Sequence, residues 1–200
     1  MMRRMTRPSG MYRFIGLATW PLVRGLFRLE TRGLDRLPRG GFVLAANHVS
    51  NFDPWPLGIP LFPHRWLRFM AKSELYWWPF SSILDGAGAF KVRRVEGDAE
   101  AIEKGVELVR AGEVVVMFPE GTRRTKGLRK TRTARPHSGA ARIAHLAGAP
   151  LVPAAIKGTD RLVRLAKLKV AYGEPFDPGD DAQAATERLM REIDELYDTL

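Results

Sequence analysis

Apolar residues at positions 11, 14, 15, 18, 22, 26 and 29 recur at helical spacing, with Arg13, Arg24 and Arg28 among the intervening positions. The pattern predicts an amphipathic helix over residues 11–29, or two helices broken near Pro21. From Leu34 onward the periodicity changes. Short apolar or alternating runs at 42–46, 67–71, 89–93, 113–118, 151–156 and 168–172, each bounded by Gly, Pro or charge, predict strands. Helices are predicted at 98–111, which opens on an Asp and stops at Gly112, and at 139–147 and 182–200. Strands alternating with helices predict a single α/β domain with a mixed, largely parallel central sheet, flanked by helices and with functional loops at strand C-terminal ends. The expected division is a helical segment at 1–33 followed by one domain over 34–200.

The N-terminal stripe has two readings. Trp20, Phe14 and Phe27 beside arginines fit a helix lying in the membrane interface, its apolar face inserted and its guanidinium groups among the headgroups. The same stripe also fits a helix packed on the domain's own core. The apolar run at 14–23 contains Pro21, lies between Arg13 and Arg24, and falls well short of the roughly 20 residues a bilayer span requires. No small-residue cleavage pattern follows it cleanly.

Composition narrows the chemistry. The 200 residues, 45% hydrophobic and 27% charged, suffice for one substantial core. The absence of Cys excludes disulfides, thiolate metal sites and a Cys nucleophile. The four histidines form no His-Glu-x-x-His pattern, so no metal is expected. A net charge of +10 favours a polyanionic partner, and an anionic membrane surface and nucleic acid satisfy it equally. The densest basic stretch, 123–135, is expected to be an exposed loop.

Two motifs carry chemistry. In Asn47-His48-Val49-Ser50-Asn51-Phe52-Asp53, at the end of a predicted buried strand, Asp53 could orient His48 as a general base if the intervening chain turns, as Ser50, Asn51 and Pro54 allow. No Gly-x-Ser-x-Gly elbow accompanies the pair, so the substrate's own hydroxyl is the expected nucleophile. In Phe118-Pro119-Glu120-Gly121-Thr122-Arg123, Gly121 permits close backbone approach, Thr122 supplies a hydroxyl and Arg123 a fork matched to phosphate oxygens. Glu120 would repel a phosphate, and is expected to pair with an arginine or to orient a substrate hydroxyl. Together the motifs point to acyl transfer onto a phosphorylated alcohol.

The chain resembles the glycerolipid acyltransferase family, in particular bacterial 1-acylglycerol-3-phosphate acyltransferases. Asn47-His48-x4-Asp53 is similar to the family's catalytic motif, Gly88 to Arg94 to its second block, Phe118 to Arg123 to its third and Val152 to Ile156 to its fourth. The departure is Pro136-His137-Ser138 before Gly139, where relatives often carry Phe-Lys-x, after a longer basic stretch. The resemblance implies direct transfer from acyl-CoA or acyl carrier protein to a lysophospholipid, with no cofactor beyond the donor. It implies His48 as base, Asp53 as its partner, Lys72 near the developing oxyanion, and Arg93, Arg94, Glu120, Gly121, Thr122 and Arg123 around the glycerol phosphate. It also implies work at an anionic membrane surface, peripheral or monotopic on its cytoplasmic face. Another lysolipid or a glycolipid is an alternative acceptor. A basic nucleic-acid module is the alternative of another class, and no nucleic-acid motif supports it.

Overall fold

The computed structural model describes residues 9–72, 80–92, 98–121 and 136–200. Seven strands build one sheet: β1 (Glu30–Arg32), β2 (Phe42–Ala46), β3 (Leu67–Lys72), β4 (Ala89–Val92), β5 (Val114–Met117), β6 (Leu151–Lys157) and β7 (Lys169–Tyr172). Their order is β1-β7-β6-β2-β5-β3-β4. The five strands from β6 to β4 run parallel, while β7 is antiparallel to β6 and parallel to β1. The sheet is therefore mixed and largely parallel, as the alternation of elements predicts.

Every residue of β2 is buried, which is why it reads as a continuous apolar run: a central parallel strand has cover on both faces. Because successive side chains alternate, Val43 and Ala45 face one core cluster, and Phe42, Leu44 and Ala46 the other. The first cluster is closed by Ile102, Val106 and Val109 of α4 (Asp98–Arg110), Ile143 of α5 (Gly139–Ala147), and Leu189 and Ile193 of α6 (Ala182–Asp198). α6 starts where Asp181 accepts hydrogen bonds from the amides of Gln183 and Ala184, and α5 stops at Gly148 in the left-handed conformation.

The opposite face is covered by the N-terminal segment and by α2 (Pro54–Gly58). Here Tyr172 is fully buried and donates its hydroxyl to the Leu57 carbonyl at 2.8 Å; burial pushes the phenol far above its ordinary range. α1 (Gly10–Pro21) begins at Ser9, whose side chain caps the Tyr12 amide, and continues beyond Pro21 as a π-helical turn, Leu22–Leu26. Proline ends the α-helical spacing without ending the helix. One face of this segment docks on the domain. The Tyr12 hydroxyl accepts from the Leu67 amide, Gly16 lies against Phe62, and Val23 is buried with Ile59 and Leu168. The other face is open, with Phe14 69% and Leu17 65% exposed and Trp20 beside them. The apolar stripe read from the sequence is thus two stripes.

Three elements depart from the expected pattern. β1 precedes Leu34 and pairs with β7, so the sheet takes in residues assigned to the N-terminal segment. Glu30, Thr31 and Arg32 form an edge strand with no apolar alternation, held by backbone pairing with β7 and by the polar side-chain contacts of Glu30 with Lys167 and of Arg32 with the Thr199 carbonyl. α2 contains Pro54 and Pro56, and α3 (Phe80–Gly86) is seven residues long. Both are too short for a 3.6-residue period to show.

The two faces of α1 make opposite demands on substitution. A Cβ at Gly16 would lie 2.5 Å from the Phe62 ring. Gly16→Leu is expected to destabilise the protein by about 1–3 kcal/mol through overpacking, whereas Leu17→Ala on the exposed face should stay within about 0.5 kcal/mol. Urea denaturation midpoints of the two variants check the assignment of the docked face.

Candidate active site

The parallel strands deliver their C-terminal ends to one edge of the sheet. β2 and β5 are neighbours there, with Ala45 opposite Met117, so the segments that follow them meet. After Ala46 the chain is anchored before it turns. Asn47 is fully buried and its side-chain amide pairs with Ile156 on β6, donating to the carbonyl at 2.9 Å and accepting from the amide at 2.8 Å. It continues the β2–β6 ladder with a side chain where the backbone leaves the sheet.

A tight turn then folds the chain back, with the Asp53 amide donating to the Ser50 carbonyl. His48 Nδ1 lies 2.7 Å from Asp53 Oδ2. The same oxygen accepts from the backbone amides of Val49 at 2.8 Å and Ser50 at 2.9 Å. Asp53 Oδ1 accepts from the Thr159 hydroxyl at 2.5 Å. Asp53 is fully buried and Thr159 is 2% exposed. Two amide donors and a hydroxyl already converge on this carboxylate, so the consistent arrangement has His48 donating from Nδ1 and holding the lone pair on Nε2. The imidazole stacks on Phe118, ring centroids 4.2 Å apart, which fixes its plane. Nε2 is therefore a base in a held orientation.

The second motif arrives beside it as a turn, the Gly121 amide donating to the Phe118 carbonyl. Glu120 is buried in this turn. Gly121 has φ 67°, and a Cβ there would lie 2.5 Å from the His137 ring, so the glycine is required twice over. The chain returns to the same turn at His137, whose amide donates to the Pro119 carbonyl at 2.8 Å.

The expected site residues divide accordingly. His48, Asp53, Glu120 and Gly121 are brought together. Lys72 ends β3, the second strand from β2, so its backbone reaches the same edge roughly 10 Å across. Arg93, Arg94, Thr122, Arg123 and the basic stretch to 135 lie outside the described residues. The sequence reading missed Thr159 as a partner of Asp53 and Asn47 as the anchor. The string Lys157-Gly158-Thr159 carries no catalytic signature, and only the parallel pairing of β6 with β2 brings the hydroxyl to the carboxylate.

An apolar cavity of ≈ 130 Å³ opens beside this turn and runs beneath α1, lined by Tyr12, Ile15, Gly16, Trp55, Phe62 and Phe69, with Asn51 and Phe52 at the site end. The His48–Asp53 pair, the Phe118–Gly121 turn and one end of an apolar cavity thus lie together.

The Acyltransferase family model matches residues 28–157, a span that takes in both motifs. The chain belongs to the acyltransferase family. It is 32% identical over 205 residues to the 1-acyl-sn-glycerol-3-phosphate acyltransferase of Bacillus subtilis, covering 95% of this chain and 98% of that one. It is 27% identical over 191 residues to a probable 1-acyl-sn-glycerol-3-phosphate acyltransferase of Mycoplasma pneumoniae, covering 82% and 68%. The crystal structure of the 1-acyl-sn-glycerophosphate acyltransferase of Thermotoga maritima shares the fold, with a TM-score of 0.67 at 23% identity over 92% of this chain and 78% of that one. As in other members of an acyltransferase family, the assay that reports on the site is acyl transfer.

Thr159 is almost wholly buried and its hydroxyl is committed to Asp53, so it bears on the base by positioning. Thr159→Val keeps the shape and removes the donor. It is expected to lower kcat for acyl transfer about tenfold, a charge-assisted hydrogen bond of roughly 1.5 kcal/mol, with KM values little changed. Thr159→Ser should recover most of the rate.

Proposed function

We propose that this acyltransferase moves a fatty acyl group from an acyl-CoA or acyl carrier protein thioester to the free hydroxyl of 1-acylglycerol-3-phosphate, giving phosphatidic acid. The observation that carries the reading is the His48–Asp53 pair with Nε2 left as base. The similarity to the Bacillus enzyme over nearly the whole chain supports the choice of acceptor.

In this mechanism His48 Nε2 removes the proton of the acceptor hydroxyl as its oxygen attacks the thioester carbonyl, and Asp53 stabilises the imidazolium that forms. The tetrahedral intermediate carries its charge on the former carbonyl oxygen, where Lys72 is assigned as the stabilising cation. Collapse breaks the C–S bond, and the proton held by His48 passes to the departing thiolate. The ester forms without an enzyme-bound intermediate and uses no cofactor beyond the donor. Arg93, Arg94, Arg123 and Thr122, with the turn at Glu120 and Gly121, are assigned to the glycerol phosphate. The apolar cavity suits the acyl chain, because apolar and aromatic side chains, Ile15, Ile59, Phe62 and Phe69 among them, make up most of its wall.

Access to a lipid acceptor places the enzyme at a membrane surface. Among the described residues no helix is long and apolar enough to cross a membrane. The open face of α1, with Phe14, Leu17 and Trp20 exposed and Arg24 5.1 Å over the Trp20 ring, supports peripheral attachment to an anionic leaflet. We assign this attachment to the cytoplasmic leaflet.

A panel of lysolipid acceptors crossed with both donors in mixed micelles tests the reaction, with thiol release followed and the product identified as phosphatidic acid. His48→Ala is expected to lose about 10²–10⁴ in kcat while remaining folded. Retention of more than about a tenth of the wild-type rate would remove His48 from the chemistry.

For the membrane contact, removing the whole N-terminal segment would uncover the core around Val23, so substitution on the open face is the better probe. Phe14→Ser/Leu17→Ser/Trp20→Ser is expected to abolish flotation with liposomes containing anionic lipid, and to leave turnover of a micellar short-chain acceptor within about twofold. Undiminished flotation would move the contact to another surface.

A further inference from the structure

The apolar cavity beneath α1 shares Asn51 and Phe52 with a second cleft of a different character. This cleft, ≈ 920 Å³, lies on the β6 side of the catalytic turn, away from Glu120 and Gly121, which follow β5 on the other side of β2. One wall is the turn after His48. The other is built from the end of β6, the 3-10 segment Thr159–Arg164 and the start of β7.

Its charged groups are cationic in the majority. Lys157 stands with Nζ 4.9 Å over the Tyr197 ring, and Arg161 contacts Asp160 through Nε at 3.5 Å. Lys167 is tied to Glu30, and Lys169 donates to the Leu200 carbonyl, so these two are already engaged in holding the edge of the sheet. Lys157 and Arg161 line the cleft on either side of Thr159 and are the cations assigned to a ligand, with Asp160, which pairs with Arg161, the carboxylate beside them. Their placement is tied to the chemistry through one chain segment: Thr159, between them, reaches inward to Asp53. With Ala154 opposite Ala46, Lys157 projects roughly 10 Å beyond the end of β2.

A cavity for a methylene chain and a cleft for an anionic polar chain therefore meet at Asn51 and Phe52, the two residues just before Asp53. A molecule that fits both has an acyl tail, a polar arm ending in phosphate, and its reactive bond between them. We propose that the β6-side cleft holds the phosphopantetheine arm of the thioester donor, with Lys157 and Arg161 on its phosphate. The assignment rests on the donor chemistry proposed above and gives donor and acceptor opposite sides of His48. Both sources of the arm, coenzyme A and a carrier protein, bring the same phosphate to the same cations.

The full-length Lys157→Met/Arg161→Met variant tests it with palmitoyl-CoA, palmitoyl carrier protein and palmitoyl-pantetheine, which lacks the phosphate. The expected result is a loss of kcat/KM of about tenfold or more for the two phosphate-bearing donors. The loss with palmitoyl-pantetheine should be markedly smaller, the KM for the acceptor should be little changed, and Lys157→Arg should keep most of the wild-type efficiency. A loss confined to palmitoyl-CoA overturns the proposal by moving the two cations to the nucleotide. Equal losses on all three donors, or a raised acceptor KM, overturn it as well. Calorimetric binding of coenzyme A to wild type and variant reads the site without turnover. If coenzyme A binding weakens about tenfold in the variant while wild type transfers no acyl group, the site stands and the proposed reaction fails. If coenzyme A binds both alike, the site itself is refuted.

Discussion

A single buried carboxylate organises this enzyme. Asp53 is out of contact with solvent, a position that costs several kcal/mol for an ionised group unless its oxygens are satisfied. Here one oxygen takes His48 and the amides of Val49 and Ser50, and the other takes Thr159. Each donor comes from the end of β2 or of β6. The carboxylate therefore ties two adjacent strands together at the edge where they stop, and the geometry of the base follows from the geometry of the sheet. Asn47 reinforces the same junction from beneath, pairing with Ile156 through both amide atoms.

This junction makes His48 a divide. The β5 side carries the Phe118–Gly121 turn, a buried glutamate, and a glycine pressed against His137. The β6 side carries lysine and arginine around an open cleft. The direct transfer proposed for this site needs two ligands at one base simultaneously, and a parallel sheet edge flanked by two loops can keep them apart. The fold's third contribution is the apolar cavity, which exists because α1 lies across the sheet at Gly16 closely enough to roof it and not closely enough to fill it.

The N-terminal segment shows why one helix could be read two ways. Tyr12, Gly16 and Val23 are internal, and Phe14, Leu17 and Trp20 are external. Apolar residues on both sides blur a helical period, because periodicity reports that a face is apolar and not what covers it. Docking is decided by partners far along the chain, Leu67, Phe62 and Leu168 among them. The edge strand β1 is a related case. Its residues are polar, and its place in the sheet comes from an antiparallel β7 that leaves an edge free for pairing.

What the sequence determined by itself was everything that short-range pattern encodes. The central strands announced themselves because burial on both faces demands uninterrupted apolar residues. α5 ran as predicted, from Gly139 to Ala147, because Gly148 can adopt the left-handed stop. The two motifs could be placed at strand ends, and the His48–Asp53 pairing was accessible because its members are five residues apart with turn-forming residues between them. The tertiary structure alone decided the rest: that Thr159, more than a hundred residues on, completes the carboxylate's shell, that Asn47 bridges to β6, that His137 occupies the space a side chain at Gly121 would need, and that the cations of Lys157 and Arg161 open onto the catalytic turn. These depend on which strand lies next to which, and strand order is set by long-range packing that no local spacing records.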